Sequence, residues 1–183
     1  IDFMLTGSQK CFALPPGLAF GVAQPRILER AKTKNDRGIY FDLIEFEKNI
    51  QQNQTPNTPA LSLFYALEAQ LQAIKRETIE ARWARHTAMA NRTYEWVGEM
   101  RGRGVDLSVL APEGCRSPAV TCIKVPDGMN GSKIASEVKA RGYVIASGYG
   151  PLKDSTFRIG HMGDHTVEEL EELLGVLEEI VAQ

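Results

Sequence analysis

The chain has 183 residues, of which 43% are hydrophobic and 24% charged, an ordinary composition for one globular domain or two small ones. A formal net charge of −2 at pH 7 offers no basic surface for nucleic acid or an anionic membrane. No apolar run approaches the roughly 20 residues of a membrane span. Because the first residues show neither a basic signal region nor an initiator Met, we expect the chain to begin within a longer protein or after processing.

The N-terminal third is predicted to contain two short strands and a helix. Residues 3–6 are apolar and could end a buried strand, and residues 17–23 form a second apolar run fenced by prolines. Pro25 suits the first turn of a helix that reaches about residue 34. Residues 40–50 have no clear period and stay unassigned, whereas the polar residues 51–59 predict a loop.

Two long helices are predicted in the middle of the chain. The first begins near Ala60, and the second covers residues 77–101 and ends at a glycine-rich segment. The apolar positions of the first are Leu61, Phe64, Leu67, Leu71 and Ile74. The expected inner side of the second is formed by Ile79, Trp83, Met89, Trp96 and Met100. Long charged helices often bridge two domains, so residues 76–101 are predicted to link two.

The remaining residues predict a small α+β domain in the order β-β-α-β-β-α. The expected strands are 105–110, 120–125, 143–147 and 156–160. Asn130 is expected to cap a helix that runs to Arg141 and stops at Gly142. Thr166 and Glu169 form a capping-box pattern before a final helix. The expected core positions of that helix are Val167, Leu170, Leu174, Leu177 and Val181.

Three segments carry residues suited to chemistry. Lys10 follows a glycine and a serine, and a Schiff-base lysine needs a free amine beside small residues that allow close approach of a cofactor. The loop TPNTP at residues 55–59 presents hydroxyl and amide groups before a helix N-terminus, where phosphate binds well. Arg158 lies on a short strand, and its guanidinium matches a carboxylate with two parallel hydrogen bonds.

Each of these segments also has an ordinary interpretation. A lone loop lysine is usually a solvated charge, and a strand arginine usually makes a surface ion pair. Thr58 followed by Pro59 is also typical of a helix cap without any ligand. Chemistry alone therefore leaves both interpretations open.

Four segments resemble class V aminotransferases in the order that this family has them. They are TGSQK with ALPPGLAF, TPNTPALSLFYAL, RSPAVT and FRIGHMG. The resemblance implies pyridoxal 5′-phosphate as cofactor, with Lys10 as its Schiff-base residue and Gln9 on its phosphate. It implies that Arg158 binds the substrate carboxylate.

The resemblance also implies a homodimer with its active site at the interface. In the family, the loop equivalent to TPNTP reaches the phosphate of the partner subunit's cofactor. Thr55, Asn57 and Thr58 are the candidates for this contact, and the sequence leaves open which of them makes it. The implied reaction is transamination between a small amino acid, alanine or serine, and a 2-oxo acid, glyoxylate or pyruvate.

The implied fold class is α/β, as the C-terminal part of a fold-type I pyridoxal-phosphate-dependent transferase. Residues 1–75 would be the tail of the large mixed-sheet domain, 76–101 the linking helix, and 102–183 the small α+β C-terminal domain. The family's N-terminal half supplies an aspartate to the cofactor ring nitrogen, a stacking aromatic ring and a phosphate-binding turn. These have no matching positions here, so a missing N-terminal half is expected as a partner. The alternative is a non-catalytic fragment or dimerisation module.

The cysteines and histidines allow a further alternative. Cys115 raises the alternative of a cysteine desulfurase, a class of enzymes that shares the fold and carries a nucleophilic cysteine on a loop. The segment EGCR does not resemble that loop. Cys11, Cys115 and Cys122 lack metal-ligand spacing and are expected to be reduced, partly buried thiols of a cytoplasmic protein. His161 and His165 flank a strand-to-helix turn, so His161 is predicted to be a structural hydrogen-bonding residue and no metal site is expected.

Overall fold

The computed structural model describes residues 1–182. The chain divides into two compact units, Ile1–Ala73 and Ile74–Gln183. In the described residues, no helix is both long enough and apolar enough to cross a membrane. The domain boundaries inferred from the sequence stay predictions.

The first unit contains a two-stranded antiparallel sheet. Strand β1 (Phe3–Gly7) pairs with β2 (Ala19–Ala23), so that Gly7 lies opposite Ala19. Both strands were predicted. The burial expected for β1 is wrong, because Phe3, Met4 and Leu5 are all exposed.

The helices of this unit begin at recognisable signals. Helix α1 (Pro25–Lys32) has proline in its first turn, as predicted. Helix α2 (Leu43–Ile50) occupies the segment left unassigned, and the Asp42 carboxylate accepts a hydrogen bond from the Ile44 N–H at 2.9 Å. Helix α3 (Leu61–Glu77) follows the predicted loop and contains the boundary between the units.

The second unit is a helix-on-sheet domain in the predicted order. After helix α4 (Ile79–Gly102) come β3 (Ser108–Val109), β4 (Val120–Lys124), α5 (Gly131–Ala140), β5 (Ala146–Ser147), β6 (Thr156–Gly160) and α6 (Val167–Val181). The strands form one antiparallel sheet in the order β3-β4-β6-β5. The predicted Asn130 cap of α5 and the predicted capping box of α6 are both present.

One face of this sheet and three helices form the core. Ile123, Phe157 and Ile159 are fully buried and cluster with side chains of α4, α5 and α6. Successive strand residues point to opposite faces. Arg158, between two core residues, therefore lies on the other face of the sheet together with its cross-strand neighbour Cys122.

The predicted inner side of α4 is partly wrong. Met89, Trp96 and Met100 are buried as expected, but Ile79 and Trp83 are 41% and 61% exposed. Two polar residues near the start of this helix are buried instead, Arg82 and His86. They can be buried because each has a polar partner on the segment that follows β6.

Candidate functional site

Lys10 is exposed on a tight bend at the end of β1. Its backbone is held on both sides, because its N–H donates to the Gly7 carbonyl at 3.1 Å and its carbonyl accepts from the Ala13 N–H at 2.9 Å. The lysine amine is therefore carried by a fixed backbone and is open to a reactant. A covalent cofactor anchor needs an amine at a fixed and accessible place, and the bend supplies that position.

Ser8 organises this bend. Its side chain is fully buried, its Oγ donates to the Pro15 carbonyl at 2.7 Å, and the Leu18 N–H donates to the same Oγ at 3.2 Å. Its backbone N–H donates to the Leu18 carbonyl at 2.9 Å, and its carbonyl accepts from the Leu14 N–H at 3.0 Å. From the sequence we regarded Ser8 only as a small residue, because its partners lie up to ten residues away.

Gln9 folds over Gly7. A Cβ placed on Gly7 would lie 2.5 Å from the Gln9 Oε1, so the space that a side chain would fill holds the exposed amide of Gln9 instead. A side-chain amide can donate hydrogen bonds to a phosphate oxygen. Lys10 and Gln9 thus present an amine and an amide from one bend.

The TPNTP loop borders an open depression of about 830 Å³. Thr55, Asn57 and Thr58 all line it and are exposed, and the Thr55 Oγ1 donates to the Asn57 carbonyl at 2.7 Å. The alternative interpretation of Thr58 as a helix cap is wrong. Helix α3 begins at Leu61, and the carbonyl of Ala60 accepts from the Phe64 N–H.

Arg158 is half-buried on β6, and one hydrogen bond within the described residues fixes its guanidinium. Its Nε–H donates to the Ser147 carbonyl on β5 at 2.9 Å. Among the described residues, no carboxylate forms an ion pair with its guanidinium. The ordinary interpretation of Arg158 as half of an ion pair therefore has no support in the described part of the chain.

The segment after β6 is fixed by charged residues of the second unit. The Arg82 guanidinium pairs with Glu77 at 2.9 Å and with Asp164 at 2.8 Å. Arg85 also pairs with Glu77 and donates to the carbonyls of Gly163 and His165. Although desolvation opposes it, hydrogen bonds from Arg85 and Arg82 hold the pKa of the Glu77 carboxyl below its usual range.

His161, the residue that follows β6, is fully buried. Its Nε2 lies 2.9 Å from the Thr121 Oγ1, which agrees with the predicted structural role. Its Nδ1 is buried without a hydrogen-bond partner among the described residues. Desolvation, with a smaller effect of nearby His86, lowers the pKa of His161 from 6.5 to about 4.

This burial predicts an acid-sensitive fold. The unfolded chain binds a proton at His161 near pH 6.5 while the folded chain stays neutral until about pH 4, so stability is lost as pH falls through that window. We expect His161 to lower the free energy of unfolding by about 2 kcal/mol between pH 7 and pH 5. Urea unfolding at both pH values, compared with His161→Gln, measures this. An equal loss in the variant would contradict it.

The cysteines and histidines are the remaining candidates for a further site. The expected partial burial is found for Cys122 but is wrong for Cys11 and Cys115, which are exposed. Among the described residues, no group of three or more His, Cys, Asp or Glu side chains is arranged to hold a metal ion.

The chain is similar to curated proteins over about half of their length. No family model matches it. It is 33% identical to the small subunit of a soluble hydrogenase from Synechococcus sp., over 100% of this chain and 46% of that protein. It is 39% identical to an uncharacterized aminotransferase of Methanocaldococcus jannaschii, over 89% of this chain and 42% of that protein. It is 36% identical to the serine–glyoxylate aminotransferase of Arabidopsis thaliana, over 97% of this chain and 43% of that protein.

The chain also has the same fold as part of a solved structure. The alanine–glyoxylate aminotransferase from Nostoc sp. matches with a TM-score of 0.86 at 24% identity, over 98% of this chain and 48% of that one. Homologues and structural neighbours of the chain thus include class V aminotransferases, and the chain has the α/β fold of the C-terminal half of a fold-type I pyridoxal-phosphate-dependent aminotransferase.

Proposed function

We propose that the chain is the C-terminal half of a transaminase that moves an amino group between alanine or serine and glyoxylate or pyruvate. The observation that carries this proposal is the bend held by Ser8, which presents the exposed Lys10 amine from a fixed backbone. The relatives support it, since they include serine–glyoxylate and pyridoxamine–pyruvate aminotransferases.

Pyridoxal phosphate is the expected cofactor, and the residues present fit it. Lys10 would hold it through Nζ, and Gln9, whose amide occupies the space beside Gly7, would contact its phosphate. The bound cofactor supplies an electron sink that makes the α-proton of an amino acid removable. Thr55, Asn57 and Thr58, exposed on the loop before α3, would contact the phosphate bound to the partner subunit of a homodimer.

Lys10 and Arg158 would then divide the remaining work. The free Lys10 amine would take the proton from the substrate α-carbon as a general base and give it up, as a general acid, at the cofactor C4′. Arg158 fixes the carboxylate that the amino acid and the 2-oxo acid have in common. A fixed carboxylate restricts the orientation of the bound amino acid.

Reductive trapping tests this proposal. Borohydride treatment of the chain saturated with pyridoxal phosphate should give one added cofactor by intact mass, and peptide mapping should place it on Lys10. No adduct, or an adduct on another lysine, would contradict the proposal for this chain and would favour a non-catalytic fragment or dimerisation module. Because the chain spans about half the length of its relatives, the same measurement should be repeated with an N-terminal half supplied.

The proposal includes three further expectations carried over from the sequence. They are the homodimer, the cytoplasmic location and the division into a large-domain tail, a linking helix and a small domain. Sedimentation of the cofactor-bound protein measures the first, and a mass of one protomer would exclude it.

A further inference from the structure

The Ser147 carbonyl determines which edge of the Arg158 guanidinium is available. A guanidinium can bind a carboxylate side-on through Nε and one Nη, or end-on through both Nη groups. The Arg158 Nε–H already donates to the Ser147 carbonyl at 2.9 Å. The end-on pair is therefore the edge left for a carboxylate.

The position of that carbonyl depends on the connection between β5 and β6. Gly148, which follows Ser147, donates its N–H to the Thr156 carbonyl at 2.9 Å. The Thr156 Oγ1 donates to the Leu152 carbonyl at 2.9 Å, and Thr156 is fully buried. Thr156 thus holds the start and the middle of the connection between the two strands.

This packing admits no side chain at two glycines. A Cβ on Gly148 would lie 2.0 Å from the Leu152 carbonyl oxygen and 2.2 Å from the Thr156 Oγ1. A Cβ on Gly131, in the first turn of α5, would lie 2.1 Å from the Thr156 carbonyl oxygen. Both contacts involve backbone atoms, which cannot move aside without moving the strand ends.

We infer that Gly148 and Thr156 are positioning residues for Arg158, which act through the Ser147 carbonyl and select end-on binding of the substrate carboxylate. The positioning of Arg158 by Gly148 and Thr156 does not depend on a bound ligand. The carboxylate part of the inference rests on the proposed function. One measurement therefore tests the positioning of Arg158, and a second tests the binding of the substrate carboxylate.

The first measurement follows the Arg158 Nε–H by NMR in the ¹⁵N-labelled chain, with the resonance assigned by its absence in Arg158→Lys. Gly148→Ala and Thr156→Val should each speed exchange of this proton with water by about tenfold, because the hydrogen bond to Ser147 is weakened. Thr156→Ser, which keeps the hydroxyl, should exchange at the wild-type rate. Gly175→Ala is the matched control, because its Cβ would meet no atom within 4 Å.

Unchanged exchange in folded Gly148→Ala or folded Thr156→Val would overturn the positioning role. Thermal unfolding establishes which variants are folded, and either one alone suffices for the test. Fast exchange in both, with wild-type exchange in Thr156→Ser and Gly175→Ala, is the expected result.

The second measurement uses the transaminating holoenzyme. Gly148→Ala should raise KM for the amino acid about tenfold while kcat changes less than about threefold, because carboxylate binding is common to the ground and transition states. Unchanged KM in Arg158→Gln would reject the proposed substrate site and leave the NMR result standing. A raised KM in Arg158→Gln but not in Gly148→Ala would reject the positioning role.

Discussion

Lys10→Ala is expected to abolish the borohydride-stable adduct and to lower the transamination rate by at least about 10³-fold. On the roles proposed for Lys10, the variant loses both the anchoring amine and the group that moves the α-proton, and general acid–base catalysis alone contributes about 10²- to 10⁴-fold. The backbone of the bend should survive, because Ser8 and not the Lys10 side chain makes the bonds that hold it. Intact mass after reduction and steady-state rates measure the two effects.

Lys34→Ala is the matched control for this variant. Lys34 is an exposed lysine of the same unit, and its loss should change neither the adduct nor the rate. An adduct that persists in Lys10→Ala and disappears in another lysine variant would assign the anchoring role elsewhere. Equal unfolding midpoints of the two variants would show that the bend itself is intact.

Arg158→Gln is expected to lower kcat/KM for the amino acid by about 100-fold. Charge-assisted hydrogen bonds contribute about 1.5–3 kcal/mol each, and a loss near 3 kcal/mol corresponds to about 100-fold. Glutamine can still donate a hydrogen bond to the Ser147 carbonyl, so the sheet should remain folded. The effect should appear mainly in KM, because the carboxylate is bound before and during the reaction.

The carboxamide analogue of the substrate makes this test specific. Wild-type enzyme should prefer the carboxylate, and Arg158→Gln should lose most of that preference. Lys124→Gln is the control, since Lys124 is exposed on β4 and occupies the same face of the sheet as Arg158. An equal fall in kcat/KM in Lys124→Gln would indicate a general effect of surface charge instead of a carboxylate contact.

Local signals predicted much of the second unit. The Asn130 cap and the Thr166–Glu169 capping box fix the starts of α5 and α6, and each depends on residues within one turn. The strands around Ile123 and Phe157 follow from short apolar runs between turn residues. The predicted strands 105–110 and 143–147 are too long, because β3 and β5 each cover only two residues.

Burial that depends on contacts between residues far apart in the sequence was not predicted. Arg82 looks like a surface charge in the sequence, yet it is buried because Asp164 lies 2.8 Å away. His86 is buried because the Gly163 carbonyl lies 3.0 Å from its Nε2. The helical pattern of α4 therefore gave the correct element and, at its first two turns, the wrong buried side.

For the candidate site, local motifs indicate the residues, whereas the contacts that hold them depend on distant segments. The sequence by itself determined which residues are proposed to carry the chemistry, since contiguous motifs indicate Lys10, Gln9, the TPNTP loop and Arg158. Only the tertiary structure decided how these residues are held. The Ser8 bonds and the Thr156 contacts with Gly131 and Gly148 join segments that a local pattern cannot relate. A motif records which groups are present, whereas orientation depends on buried hydrogen bonds that form once distant segments have met.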